Sequence, residues 1–217
     1  MKWLIVASMS ICGLHAARDA NTSDVGRALS EPQSDIVAPL TIVVEAPPDI
    51  TPLVVDGMLK EALAIWGPTH LALQWHLADS RNAPAEAHSV RVILNDRVGA
   101  AHATQRPLGW IAFSASGAPR PVIELSRGNA IWMLDANALD RELPTRGREM
   151  LLERALGRAL AHELGHYLLA MKSHTSDGLM RAVHSRDDFF SMSRASFQPN
   201  RQELAMLAER VRWQPAD

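Results

Sequence analysis

REMLLERALGRALAHELGHYLLAM, residues 148–171, is a long stretch rich in Leu, Ala, Arg and Glu, and its composition and apolar spacing predict one helix. Late in it stands His162-Glu163-Leu164-Gly165-His166. A four-residue spacing on a helix stacks two side chains on one face about a turn apart, so the two imidazoles can share a metal ion while Glu163 lies beside it. Neutral imidazoles bind zinc at about 2.0–2.1 Å and leave coordination positions open. Zinc in such a site acidifies a water molecule and polarises a carbonyl, and a neighbouring carboxylate takes the proton. Glu163 is therefore read as the general base that activates water and then as the acid that protonates the leaving amine.

Catalytic zinc normally has three protein ligands, so one more is needed. His174 lies eight residues beyond His166 and is followed by Thr175-Ser176-Asp177-Gly178-Leu179-Met180. His184, Asp177, Asp187 and Asp188 are the other nearby donors, and Glu203 is a more distant one. On these residues the chain resembles the metzincin zinc metallopeptidases, whose pattern is His-Glu-x-x-His-x-x-Gly-x-x-His followed by a tight turn bearing a methionine. Gly165, His174 and Gly178-Leu179-Met180 look like the matrixin-type version. The resemblance implies zinc ligands His162, His166 and His174, catalytic Glu163, and Met180 as an apolar floor under the metal. The departure is specific: Leu169 and Lys172 occupy the positions where the family has its glycine and its third histidine. With two extra residues and no glycine to turn the backbone, the helix is expected to run about half a turn further and swing back through Met171-Lys172-Ser173.

Working outward, LTIVVE (residues 40–45) reads as a strand ended by Pro47-Pro48. Thr51-Pro52 caps a helix running to Trp66, where Gly67-Pro68 stops it. Alternation predicts half-buried strands over 71–77 and 90–94, and GWIAFS (109–114) and VIELS (122–126) are two more. Residues 127–147 are ambiguous, 172–198 have no clear period, and 199–212 read as a terminal helix with Pro199 in its first turn. The expected fold is α+β: a small twisted mixed sheet, a covering helix, the long site helix and a C-terminal helix. This order matches what the metzincin resemblance implies for residues 40–171. In that family an edge strand pairs with an extended peptide, and 109–114 is the candidate edge. His70, His76, His88 and His102 lack ligand spacing and are read as surface or hydrogen-bonded residues.

At 217 residues the chain is sized for one main domain, and 47% hydrophobic with 21% charged residues is a globular composition. A net charge of -2 without Lys/Arg runs argues against nucleic acid as a partner, and one cysteine excludes an internal disulfide framework. Lys2, the apolar residues 3–14 and the small Ala16-Ala17 have the layout of a signal peptide over 1–17. Its apolar run is too short to anchor the chain in a membrane. Residues 18–39 then read as a flexible leader or short propeptide, and 40–217 as the catalytic domain. The chain is accordingly expected to be a secreted or periplasmic bacterial zinc endopeptidase, a monomer acting on peptide or protein. The rivals are a zinc hydrolase with a different third ligand and a non-enzymatic secreted module that binds zinc.

Overall fold

A computed structural model describes residues 2–4, 36–78, 89–97 and 106–213 of the chain. Most of the expected signal peptide and leader, together with His88 and His102, lies outside the described residues. The elements in order are Lys2–Leu4 (β1), Ile36–Ala38 (β2), Leu40–Glu45 (β3), Pro52–Trp66 (α1), Leu73–Leu77 (β4), Ser89–Asn95 (β5), Gly109–Phe113 (β6) and Pro119–Ser126 (β7). Then come Arg127–Asp135 (α2), Ala138–Arg141 (α3), Thr145–Leu168 (α4), Val183–Ser185 (β8), Arg186–Phe190 (α5), Arg201–Arg210 (α6) and Val211–Trp213 (β9).

Five strands form one mixed sheet in the order β4-β3-β5-β7-β6. The first four are parallel neighbours, and β6 turns back antiparallel on β7 to form one edge. The α+β expectation is met. Leu40, Ile42 and Val44 of β3, Val90, Val92 and Leu94 of β5, and Ile123 and Leu125 of β7 are buried at period two, so one pleat face supplies the core. That core is completed by α1 and α4. The N-terminus of α1 is closed by Thr51, whose hydroxyl accepts the Val54 N–H at 3.4 Å, with Pro52 in the first helical position.

The two long helices cross closely enough that a Cβ on Gly157 would sit 2.5 Å from the Met58 carbonyl oxygen, so this contact requires glycine. Their polar tie is Arg158, fully buried, whose Nε donates to Glu61 at 2.9 Å. Glu61 also takes Arg194 at 2.7 Å, and Arg158 reaches the Asp188 carbonyl, so the segment after α4 is fastened to both helices. The Trp66 indole donates to the Ala161 carbonyl at 3.1 Å, pinning the end of α1 to α4 one residue before His162.

Several local expectations are corrected. Residues 127–147 hold two short helices and the start of α4: Ser126 caps α2 by accepting the Asn129 N–H, and Asn137 caps α3. The unperiodic 172–198 contain β8 and α5, the latter closed by a reciprocal Ser185–Asp188 capping box. Pro199 does not enter the terminal helix; Asn200 is the cap and Glu203 completes its capping box. Ile36–Ala38, at the end of the expected leader, pairs in parallel with β9. Lys2–Leu4 pairs antiparallel with β8. Among the described residues no helix is long and apolar enough to cross a membrane.

Candidate metal centre

α4 carries His162 and His166 on one face, their ring centroids 4.9 Å apart. The helix ends in a Schellman arrangement: Ala170 N–H donates to the Tyr167 carbonyl and Met171 N–H to the His166 carbonyl, with Ala170 in the left-handed region at φ 48°. Thus the sharp turn supplied by glycine in the metzincin pattern exists here, one position later and on an alanine. The chain then returns His174 to the helix, 5.3 Å from His162 and 4.9 Å from His166 between centroids. One nitrogen from each of the three rings lies within 4.8 Å of the others.

Hydrogen bonds set which nitrogen faces the centre. His162 Nδ1 donates to the Leu179 carbonyl at 2.8 Å and His166 Nδ1 to the Met171 carbonyl at 2.5 Å. A carbonyl only accepts, so both rings carry their proton on Nδ1 and keep a free lone pair on Nε2. The Nε2 atoms of His162, His166 and His174 are all buried without a hydrogen-bond partner. Burial holds His162 well below the usual imidazole range, pushes His166 down to about 4 and lowers His174, so all three rings are neutral at pH 7. Three orphaned, neutral imidazole nitrogens facing one point fit a zinc ion with an open coordination position.

Glu163 is fully buried beside this trio, and neither carboxylate oxygen has a hydrogen-bond partner. Burial pushes its carboxyl up to about 8. It lies against β6: a Cβ on Gly109 would come within 2.8 Å of Glu163 Cγ, so glycine makes room for the carboxylate at the sheet's edge. Phe113, at the other end of β6, meets the His166 ring edge-on at 6.2 Å, and Lys172 lies over the Phe113 face.

Beneath the histidines, Met180 is fully buried and its sulfur would lie 2.2 Å from a Cβ on Gly165, so that glycine lets the methionine reach the helix backbone. The Thr175–Met180 turn closes through a Thr175 N–H to Met180 carbonyl bond of 2.9 Å, with Gly178 at φ 77°. Glu203 from α6 accepts the Met180 N–H at 3.1 Å, the Thr175 hydroxyl at 2.9 Å and the Asn200 N–H at 2.9 Å.

His174 therefore joins the two helix histidines, and the other candidates do not. Asp177 accepts from Asn200, Asp187 is exposed, and Asp188 takes Arg181, Ser185 and Ser196. His184 is buried with both ring nitrogens in hydrogen bonds, and Glu203 supports the turn as a hydrogen-bond acceptor. Sequence reading missed the part Glu203 plays here; an Asn200-x-x-Glu203 capping signature could have placed its helix but not its long-range contacts.

The sequence matches no family model, and no curated protein matches it significantly. Among solved structures it is similar to metalloproteinase-II from Bacteroides fragilis, with a TM-score of 0.47 and 10% identity over 83% of this chain and 55% of that one. The chain thus spans about half of the Bacteroides protein. It is also similar to an archaemetzincin from Methanopyrus kandleri, with a TM-score of 0.48 and 14% identity over 84% of this chain and 98% of that one.

Proposed function

We propose that this chain is a zinc-dependent endopeptidase of metzincin-like, matrixin-type build, with His162, His166 and His174 as ligands and Glu163 as general base. The observation that carries this reading is the convergence of three unpartnered Nε2 atoms beside an unpartnered buried carboxylate at the edge of the sheet. A structural zinc site would close its fourth position with protein and has no use for a base.

When bound, zinc supplies Lewis-acid polarisation of the scissile carbonyl and of a water molecule. Glu163 takes the water's proton on a carboxylate oxygen and delivers it to the leaving amine nitrogen as the C–N bond breaks. An extended peptide adds to the β6 edge of the described sheet, with main-chain bonds holding it and Phe113 and Lys172 meeting side chains near His166. Met180 and Glu203 keep the floor rigid while the ligands hold their geometry.

The proposal includes export from the cytoplasm on the strength of residues 1–17, a leader over 18–39, a catalytic domain over 40–217 and action as a monomer. His174→Ala tests the ligand set. Zinc content and cleavage of a mixed peptide library both fall sharply if His174 is the third ligand. Intact zinc content and activity would move the assignment to a different zinc hydrolase.

A further inference from the structure

His184 is fully buried, yet no step proposed above uses it. Its ring stacks on Phe197 at 4.1 Å and stands edge-on to His162 at 6.0 Å. Arg181 Nη2 lies 3.2 Å from His184 Nδ1 and 2.9 Å from Asp188 Oδ2. A guanidinium only donates, so His184 Nδ1 is the acceptor and its proton sits on Nε2. That Nε2–H points at the Leu179 carbonyl, 3.3 Å away, the same oxygen that takes His162 Nδ1–H at 2.8 Å. The carbonyl has two lone pairs and uses one for each histidine. A continuous path therefore runs from Asp188 in α5 through Arg181, His184 and Leu179 to the ring of His162 in α4.

We propose that His184 is a positioning residue for the metal centre: by holding the Leu179 carbonyl from its second lone pair, it fixes the tautomer and aim of His162. This rests on the zinc-site reading above. Without the His184 N–H, the Leu179 carbonyl loses one of its two histidine partners, and the group that orients His162 gains freedom to rotate. Outer partners of metal-ligating histidines contribute to affinity by fixing ring orientation and ligand basicity.

The test is zinc affinity by competition with a chromophoric chelator for the wild type, His184→Phe and His184→Gln. Phe keeps the stack on Phe197 but loses both hydrogen bonds; Gln loses the stack but places an N–H near the Nε2 position. Positioning predicts zinc binding about 10- to 100-fold weaker in His184→Phe, with His184→Gln closer to wild type. Simple packing predicts the opposite order, and that result, or unchanged affinity in a folded His184→Phe, overturns the proposal. Should His184→Phe fail to fold, Arg181→Met, at a partly exposed side chain, frees His184 Nδ1. It is expected to weaken zinc several-fold and shift the nitrogen NMR signature of His184 away from a single Nε2–H tautomer; a folded Arg181→Met with both left as in the wild type would overturn the proposal. A wild type that holds no zinc would remove the zinc-site reading itself, whereas wild-type zinc with an unaffected His184→Phe removes only the positioning role.

Discussion

The Glu203 carboxylate accepts the backbone N–H of Met180 at 3.1 Å, joining the C-terminal helix to the turn beneath the three histidines. The same oxygen takes the Thr175 hydroxyl, and its partner oxygen takes the Asn200 N–H. Replacing Glu203 with Ala strands the buried Met180 N–H and removes the acceptor of the two half-buried donors. It is expected to lower stability by about 2–4 kcal/mol, read from urea unfolding, and to weaken metal binding as the turn loosens.

Gly165 answers Met180 from the helix side. Ala at this position would improve helix propensity by up to about 1 kcal/mol in open solvent. Here the added methyl meets the Met180 sulfur at 2.2 Å, so the turn has to shift. Overpacking of this kind costs about 1–3 kcal/mol. Gly165→Ala is therefore expected to melt lower than the wild type and to bind zinc less tightly.

Ala170 takes a left-handed conformation that a Cβ disfavours, and its side chain has no part in the metal centre. Ala170→Gly relieves that strain while adding freedom to the unfolded chain, leaving a net gain of about 0.5–1 kcal/mol. The expected readout is a higher unfolding midpoint with zinc content unchanged.

The metal-free protein should be most stable near pH 7. Burial holds His166 and His184 down to about 4 and lowers His162 and His174. Below 6.5 the unfolded chain binds protons that these folded histidines refuse, so stability falls as pH drops. Glu163 acts in reverse. Its carboxyl, raised to about 8, binds a proton in the fold that the unfolded chain releases above 4.5, so its contribution is lost as pH rises through 8. The histidines outnumber the carboxyl on the acid side, and the carboxyl alone shapes the neutral-to-alkaline side. Urea midpoints of chelator-treated protein across this range check both limbs; a midpoint that climbs steadily from pH 6.5 to 8 would contradict the assignment for Glu163.

Much of the centre was legible because its signals are local. The His162-Glu163-Leu164-Gly165-His166 run sits on one helix with fixed spacing, and Gly109 to Phe113 reads as a strand by its own composition. It forms one edge of the described sheet. His174 was harder, since its arrival depends on a left-handed Ala170, a conformation that sequence rules assign to glycine. The parts played by Glu203 and His184 were not legible. Their partners, Met180 and Leu179, lie across loops whose path is set by tertiary packing, and a buried Glu or His has the same local sequence as an exposed one. The short α2, α3 and α5 were missed for the related reason that their caps rather than an apolar period define them.

The most direct test pairs the purified wild type with Glu163→Ala, measuring bound zinc and cleavage of a mixed peptide library. The predicted result is about one zinc per chain in both proteins, with peptide cleavage by the wild type alone. Zinc in both and cleavage by neither would contradict the peptidase assignment, and absence of zinc from the wild type would contradict the metal centre itself.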